Sequence, residues 1–188
     1  MKANGKREGN GGEFLRYIAG YLAGGALFLV LIPYGLVRLS QLDRIIAVEF
    51  PEFLAVRLLI SLPAFLPGAV FMIWSNIFLF KIGKGGPAAG FDIAISPPTK
   101  RLVVSGPYRH SRNPMVFGAF SMYFAMGLFF FSVLSLAALT AFLGLARIYL
   151  KRSEEKRLLR DFGEEYAAYR NRVPMIFPRF RPKPARPS

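Results

Sequence analysis

The chain has 188 residues, a formal net charge of +14, no cysteine and a single histidine. Without cysteine there can be no disulfide, thiolate metal site or cysteine nucleophile, and one histidine is too few for a histidine-rich metal centre, so no metal is expected. Hydrophobic residues make up 53% and aromatics 15%, more than the roughly 45–50% apolar content of a soluble domain. They are gathered into runs flanked by basic stretches, the pattern of a membrane protein.

The positive charge sits between and beyond those runs. Residues 1–16 carry +2, residues 38–57 carry zero, residues 81–114 carry +5 and residues 147–188 carry +7. A nucleic-acid binder would gather such charge on one face of a soluble module. Placed as it is here, the charge acts as a topology signal and an attraction for anionic headgroups. Membrane lipids are therefore expected partners, and nucleic acid is not.

Residues 1–13 are polar and glycine-rich and read as a disordered tail. The first span follows at about 17–37, between Arg16 and Arg38. Its 21 residues would cover about 32 Å, enough to cross the hydrocarbon core, with a bend at Pro33. Residues 40–57 alternate apolar and charged residues and suit either an interfacial helix or a loop. A second span, about 58–80, contains Pro63 and Pro67 and is expected to kink. Residues 115–150 are apolar throughout, about 54 Å as one helix, which is too long for the core. Two spans, about 115–131 and 133–150, joined near Phe131–Ser132–Val133 resolve the excess, although glycine and proline are absent from the turn. A polar periodic helix at about 153–171 puts Glu155, Leu158, Leu159, Phe162, Tyr166 and Tyr169 near one face, with Ser153 as its expected cap. Residues 179–188, rich in arginine and proline, read as a flexible tail. The expected architecture is all-α: a polytopic bundle of about four spans within residues 14–178. By the positive-inside rule both termini and the 81–114 loop face the cytosol.

That loop carries Gly83–Gly86, Ser96-Pro97-Pro98, then Val103-Val104-Ser105-Gly106-Pro107-Tyr108-Arg109 and Arg112-Asn113-Pro114-Met115. Its glycines and prolines impose non-helical backbone beside a membrane helix, where free amide and carbonyl groups can meet a polar ligand or simply connect two spans. Arg109 and Arg112 can snorkel to headgroups or clamp a carboxylate. Glu154 and Glu155 can favour a helix start through the macrodipole or hold a cationic group. His110 is given no role.

The run Gly106-Pro107-Tyr108-Arg109-His110-Ser111-Arg112-Asn113-Pro114-Met115 is followed about forty residues later by Glu154-Glu155. Phe162-Gly163-Glu164-Glu165-Tyr166, Tyr169 and Arg172-Val173-Pro174 come next. In that order these blocks resemble the isoprenylcysteine carboxyl methyltransferase family and its wider relatives, the phospholipid N-methyltransferases. The resemblance covers roughly residues 83–178. It implies a cytosolic loop and C-terminal helix that close over S-adenosylmethionine, and a lipophilic or lipidated acceptor.

Carried onto this chain, the family's Arg-His-Pro element falls on Arg112-Asn113-Pro114 and its paired glutamates on Glu154 and Glu155. The cofactor-binding set so implied is Val104, Gly106, Pro107, Tyr108, Asn113, Pro114, Glu154 and Glu155, with Arg112 as the catalytic residue. Two positions depart from the prenylcysteine enzymes: Asn113 stands where they have histidine, and Val116 where tyrosine is usual. Asparagine can hydrogen-bond but cannot titrate. The acceptor atom stays open between a carboxylate, a thiol and an amine, with a phospholipid headgroup amine as one alternative and a non-catalytic membrane interaction protein as another.

Overall fold

The computed structural model describes residues 18–19, 22–43, 53–83, 89–90, 93–94 and 101–180. The expected tail at 1–13, residues 44–52 of the 40–57 segment and residues 181–188 lie outside them. Among the described residues four apolar helices and one polar helix follow in chain order. Helix α1 is Leu22–Asp43 and α2 is Leu54–Phe78, extended by a π-turn at Leu79–Gly83. Ala89–Gly90 and Ile93–Ala94 form a two-residue antiparallel pairing in the connecting loop. Helices α3 (Pro114–Phe129) and α4 (Val133–Tyr149) form a hairpin, and a π-turn at Leu150–Glu154 leads into α5 (Glu155–Arg172).

Helices α1 and α2, and the continuous helix that runs from α4 into α5 (Val133–Arg172), are long and apolar enough to cross a membrane; α3 is shorter but also apolar. Their large side chains face outward, with Leu29 78% and Leu59 74% exposed, whereas the contacts between helices use small residues. In lipid, apolar side chains gain nothing by turning inward, so association rests on close packing and internal hydrogen bonds. Gly68 of α2 and Gly118 of α3 supply that packing. A Cβ on Gly118 would lie 2.8 Å from the Gly68 carbonyl oxygen, and one on Gly68 would lie 2.8 Å from Ser121 Cβ. The α3 contact stripe, Pro114, Gly118, Ser121 and Ala125, is buried at helical spacing. The chain is an integral membrane protein with an all-α fold.

The prolines are accommodated in different ways. Helix α2 continues through Pro63 and Pro67. In α1 a π-turn at Leu27–Leu31 precedes Pro33, with the Ile32 N–H bonding to the Leu27 carbonyl. The next donor in that pattern would be Pro33, which has no N–H. The Phe28 carbonyl it leaves free accepts instead from the Tyr123 hydroxyl of α3 at 2.6 Å. A backbone group freed inside the membrane thus becomes a cross-link between helices.

The turn between α3 and α4 falls at Phe130–Ser132. Phe131 adopts φ +49°, the left-handed conformation usually left to glycine. Ser132 caps α4, accepting from the Ser135 N–H at 3.0 Å. Asp43, at the end of α1 and 4% exposed, joins that cap. It accepts from the Leu134 N–H at 3.2 Å and from the Ser132 hydroxyl, while the Ser135 hydroxyl donates to the Leu36 carbonyl at 3.0 Å. The expected start of the C-terminal helix is corrected. Ser153 caps nothing, because helical backbone runs from α4 through the π-turn into α5, and Glu154, in the cap position, keeps helical dihedrals. A continuous helix has no free N–H groups there for a cap or a macrodipole to act on.

Candidate active site

The end of the bundle opposite Asp43 is built from three pieces: the turn at 103–113, the start of α5, and residues 173–180 beyond it. Gly106 opens a 3₁₀ turn, Gly106–Arg109, at φ +59°, with the Phe78 ring where a side chain would be. Only glycine satisfies both constraints. Pro107 and Tyr108 are buried beneath it, with Val103, Leu79 and Met115 packed around Tyr108.

Residues 174–179 then run back along 110–113 as a strap. The Arg112 N–H donates to the Pro174 carbonyl at 2.9 Å and the Asn113 N–H to that of Met175 at 3.0 Å. The Asn113 side-chain amide donates to the same Met175 carbonyl at 2.9 Å, and the Ser111 hydroxyl to that of Ile176 at 2.6 Å. The Arg179 N–H meets the His110 carbonyl at 2.9 Å, and His110 Nδ1 lies 3.1 Å from the Arg179 carbonyl. His110 sits between Trp74 and Phe180, ring centroids 6.2 Å and 5.2 Å away. Arg179 and Phe180, assigned to the tail from sequence, therefore belong to the packed structure.

At the centre, Arg112 Nη1 donates to Glu155 Oε1 at 2.5 Å and to the Tyr166 hydroxyl at 3.3 Å. Both side chains of the ion pair are only 10% exposed. Arg170 approaches the other Glu155 oxygen at 3.9 Å. Arg112 Nε is buried with no hydrogen-bond partner. A guanidinium offers its donors in a rigid fork, so Nη1 is committed to Glu155 and the Nε meets no acceptor among the described residues.

Glu154 is paired less closely. Its one ion-pair partner among the described residues is Arg157 at 3.8 Å, and its side chain is 32% exposed. Loss of solvation pushes its carboxyl above the ordinary range; Arg157 opposes this and Glu155 adds to it. Tyr108, Tyr166 and Tyr169 are all pushed upward, chiefly by burial, and Arg112 partly offsets the shift at Tyr166 and Tyr169. All three therefore stay neutral donors at physiological pH. The Tyr169 hydroxyl donates to the Tyr108 carbonyl at 2.6 Å, tying α5 to the 3₁₀ turn. Gly163, at φ +50°, kinks α5 before these two tyrosines.

The structure thus brings Arg112, Glu155, Tyr166, Tyr108 and Glu154 to one rim. Pro107 and Pro114 are fully buried and shape the wall, Val104 is 42% exposed, and the Asn113 amide is engaged by the strap. Tyr166 and Tyr169 were legible as members of a helical face and as part of the resemblance, but with no role in the site. The strap and the His110 sandwich had no local signal.

The profile of the phospholipid methyltransferase family matches residues 56–165, from early α2 into α5. The chain belongs to that family, within the isoprenylcysteine and phospholipid methyltransferase superfamily. It is a membrane methyltransferase. No match was found among curated proteins or solved structures.

Proposed function

We propose that this methyltransferase uses S-adenosylmethionine and acts on a lipophilic acceptor whose polar end carries an oxyanion, in the manner of a prenylated cysteine carboxylate. The observation that carries the reading is the buried Arg112 with its unpaired Nε, fixed by Glu155 at the end of a membrane helix. A fit to the cofactor rests on the same donor set. Glu154, without a close partner, suits the ammonium of the amino-acid end, Glu155 adds negative charge beside it, and the polar backbone of 104–108 suits the adenosine. When bound, the cofactor supplies an electrophilic methyl on a sulfonium whose departure leaves a neutral thioether.

What remains for the chain is positioning and exclusion of water. Arg112 offers Nε to an acceptor oxygen at the membrane boundary, where its planar fork orients a carboxylate better than lysine would. Methylation of a carboxylate releases no proton, so the neutral tyrosines need only line the site. The charge of the 81–114 and 147–188 segments supports a cytosolic loop and C-terminus.

A second reading, methylation of a phospholipid headgroup amine, fits the same family and is favoured by Asn113 in place of histidine. Arg112 would then hold the phosphate. Purified protein incubated with methyl-labelled S-adenosylmethionine, a prenylcysteine analogue and phosphatidylethanolamine tests both. Label in an alkali-labile ester supports the first, label on the amine supports the second, and label in neither overturns both.

A further inference from the structure

Two donors of Asn113 meet at one atom. Its backbone N–H and its side-chain amide converge on the Met175 carbonyl at 3.0 Å and 2.9 Å, the N–H being shared with the Ser111 hydroxyl oxygen at 3.2 Å, and Ser111 itself reaches the same carbonyl at 3.4 Å. The residue has φ −126° and ψ 62°, neither helix nor strand; the proline that follows disfavours the helical region there. That bend is the point at which the loop turns into α3, and it carries Arg112 immediately before it. Arg112 is tied to the strap through its own N–H, and its Nε is the one buried side-chain donor or acceptor among the described residues without a partner. A displacement of about 1 Å at such a group can cost on the order of a hundredfold in rate.

We infer that Asn113 is a positioning residue that acts on Arg112 through the Met175 carbonyl, rather than a ligand of the cofactor. The inference rests on the methyltransferase reading. It makes the strap at 174–179 part of the site, although the family profile ends at residue 165. The clamp needs a side-chain donor at 113. Asparagine provides one, an imidazole N–H can provide one, and a carboxylate would set oxygen against oxygen.

The test uses the full chain in lipid nanodiscs, with Asn113→Asp, Asn113→His and, should Asn113→Asp fail to fold, Ser111→Ala, which removes the neighbouring strap bond. Three quantities are read: hydrogen exchange of the amides at 110–113, affinity for S-adenosylhomocysteine, and methyl transfer to the accepted lipid. Asn113→Asp is expected to speed exchange and to lower turnover by about tenfold or more, with S-adenosylhomocysteine affinity within about threefold of wild type, under 1 kcal/mol. Asn113→His should restore most of the turnover. In an Arg112→Lys background Asn113→Asp should add little, because residues acting through one another are not additive. Equal losses of affinity and turnover, an additive cycle, or unchanged exchange would overturn the inference. Failure of the wild-type protein to bind S-adenosylhomocysteine would instead overturn the methyltransferase reading on which it stands.

Discussion

Both ends of the bundle hold a buried carboxylate, and the two are built differently. Asp43 meets a helix N-terminus and a serine hydroxyl, all of them neutral. Glu155 meets two arginines, and one of those keeps a buried donor that nothing among the described residues satisfies. The first arrangement is closed and the second is left short by one acceptor. Leaving a buried donor unpaired costs roughly 1–3 kcal/mol, so an end of the molecule that carries such a debt is the end expected to meet a ligand. The Asp43 end locks α1 to the α3–α4 turn and asks for nothing further.

The largest expected effect is at Glu155. Glu155→Ala leaves Arg112 as an uncompensated buried charge and should destabilise the protein by about 3 kcal/mol or more. The double variant Arg112→Met/Glu155→Ala should recover part of that stability but no methyl transfer, as denaturation in mild detergent and an activity assay would reveal. Recovery of activity would erase the distinction between the two ends. Asp43→Ala should cost about 2 kcal/mol, the upper range for a lost helix cap, and leave S-adenosylhomocysteine binding unchanged. A binding defect in that variant would make the far end part of the site.

Glu154→Gln sharpens the contrast in the other direction. Because burial raises the Glu154 carboxyl in the folded protein, its ionisation opposes folding. The stability it contributes is fully present below the unfolded carboxyl's pKa and is lost as pH rises through the folded one. The variant should therefore gain on wild type over that rise and match it at low pH, as thermal unfolding across pH 3–8 would show; the constant difference of an uncoupled group would refute this. Gly163→Ala is the smallest change. Alanine at φ +50°, ψ −127° should cost at least about 1 kcal/mol, with open space around the added methyl, and displacement of Tyr166 and Tyr169 would show as faster exchange at the Gly106–Arg109 turn.

Much of this was readable from the residues themselves. Hydropathy marked the apolar helices, and the length of the 115–150 run required a break that the structure places at Phe131. There a phenylalanine adopts the conformation a glycine would have signalled. The blocks around Arg112 and Glu155 pointed to one site, but not to the direct pair between them, since 43 residues of separation say nothing about side-chain contact. Asp43 was hidden inside a segment whose net charge is zero. The strap escaped because its bonds end on backbone carbonyls, which leave no mark on residue type. The Ser153 cap failed for a related reason: a serine before two glutamates looks like a helix start, and only the continuous backbone shows that the helix had already begun.

The most direct measurement is a titration of labelled S-adenosylmethionine into the purified protein in nanodiscs, repeated for Glu154→Gln and for Asp43→Ala. Saturable binding by wild type and Asp43→Ala is expected, with affinity about tenfold weaker in Glu154→Gln, the loss of one charge-assisted contact. Absence of saturable binding, or equal affinity in all three proteins, would contradict the assignment of the Arg112–Glu155 rim as the methyl-transfer site.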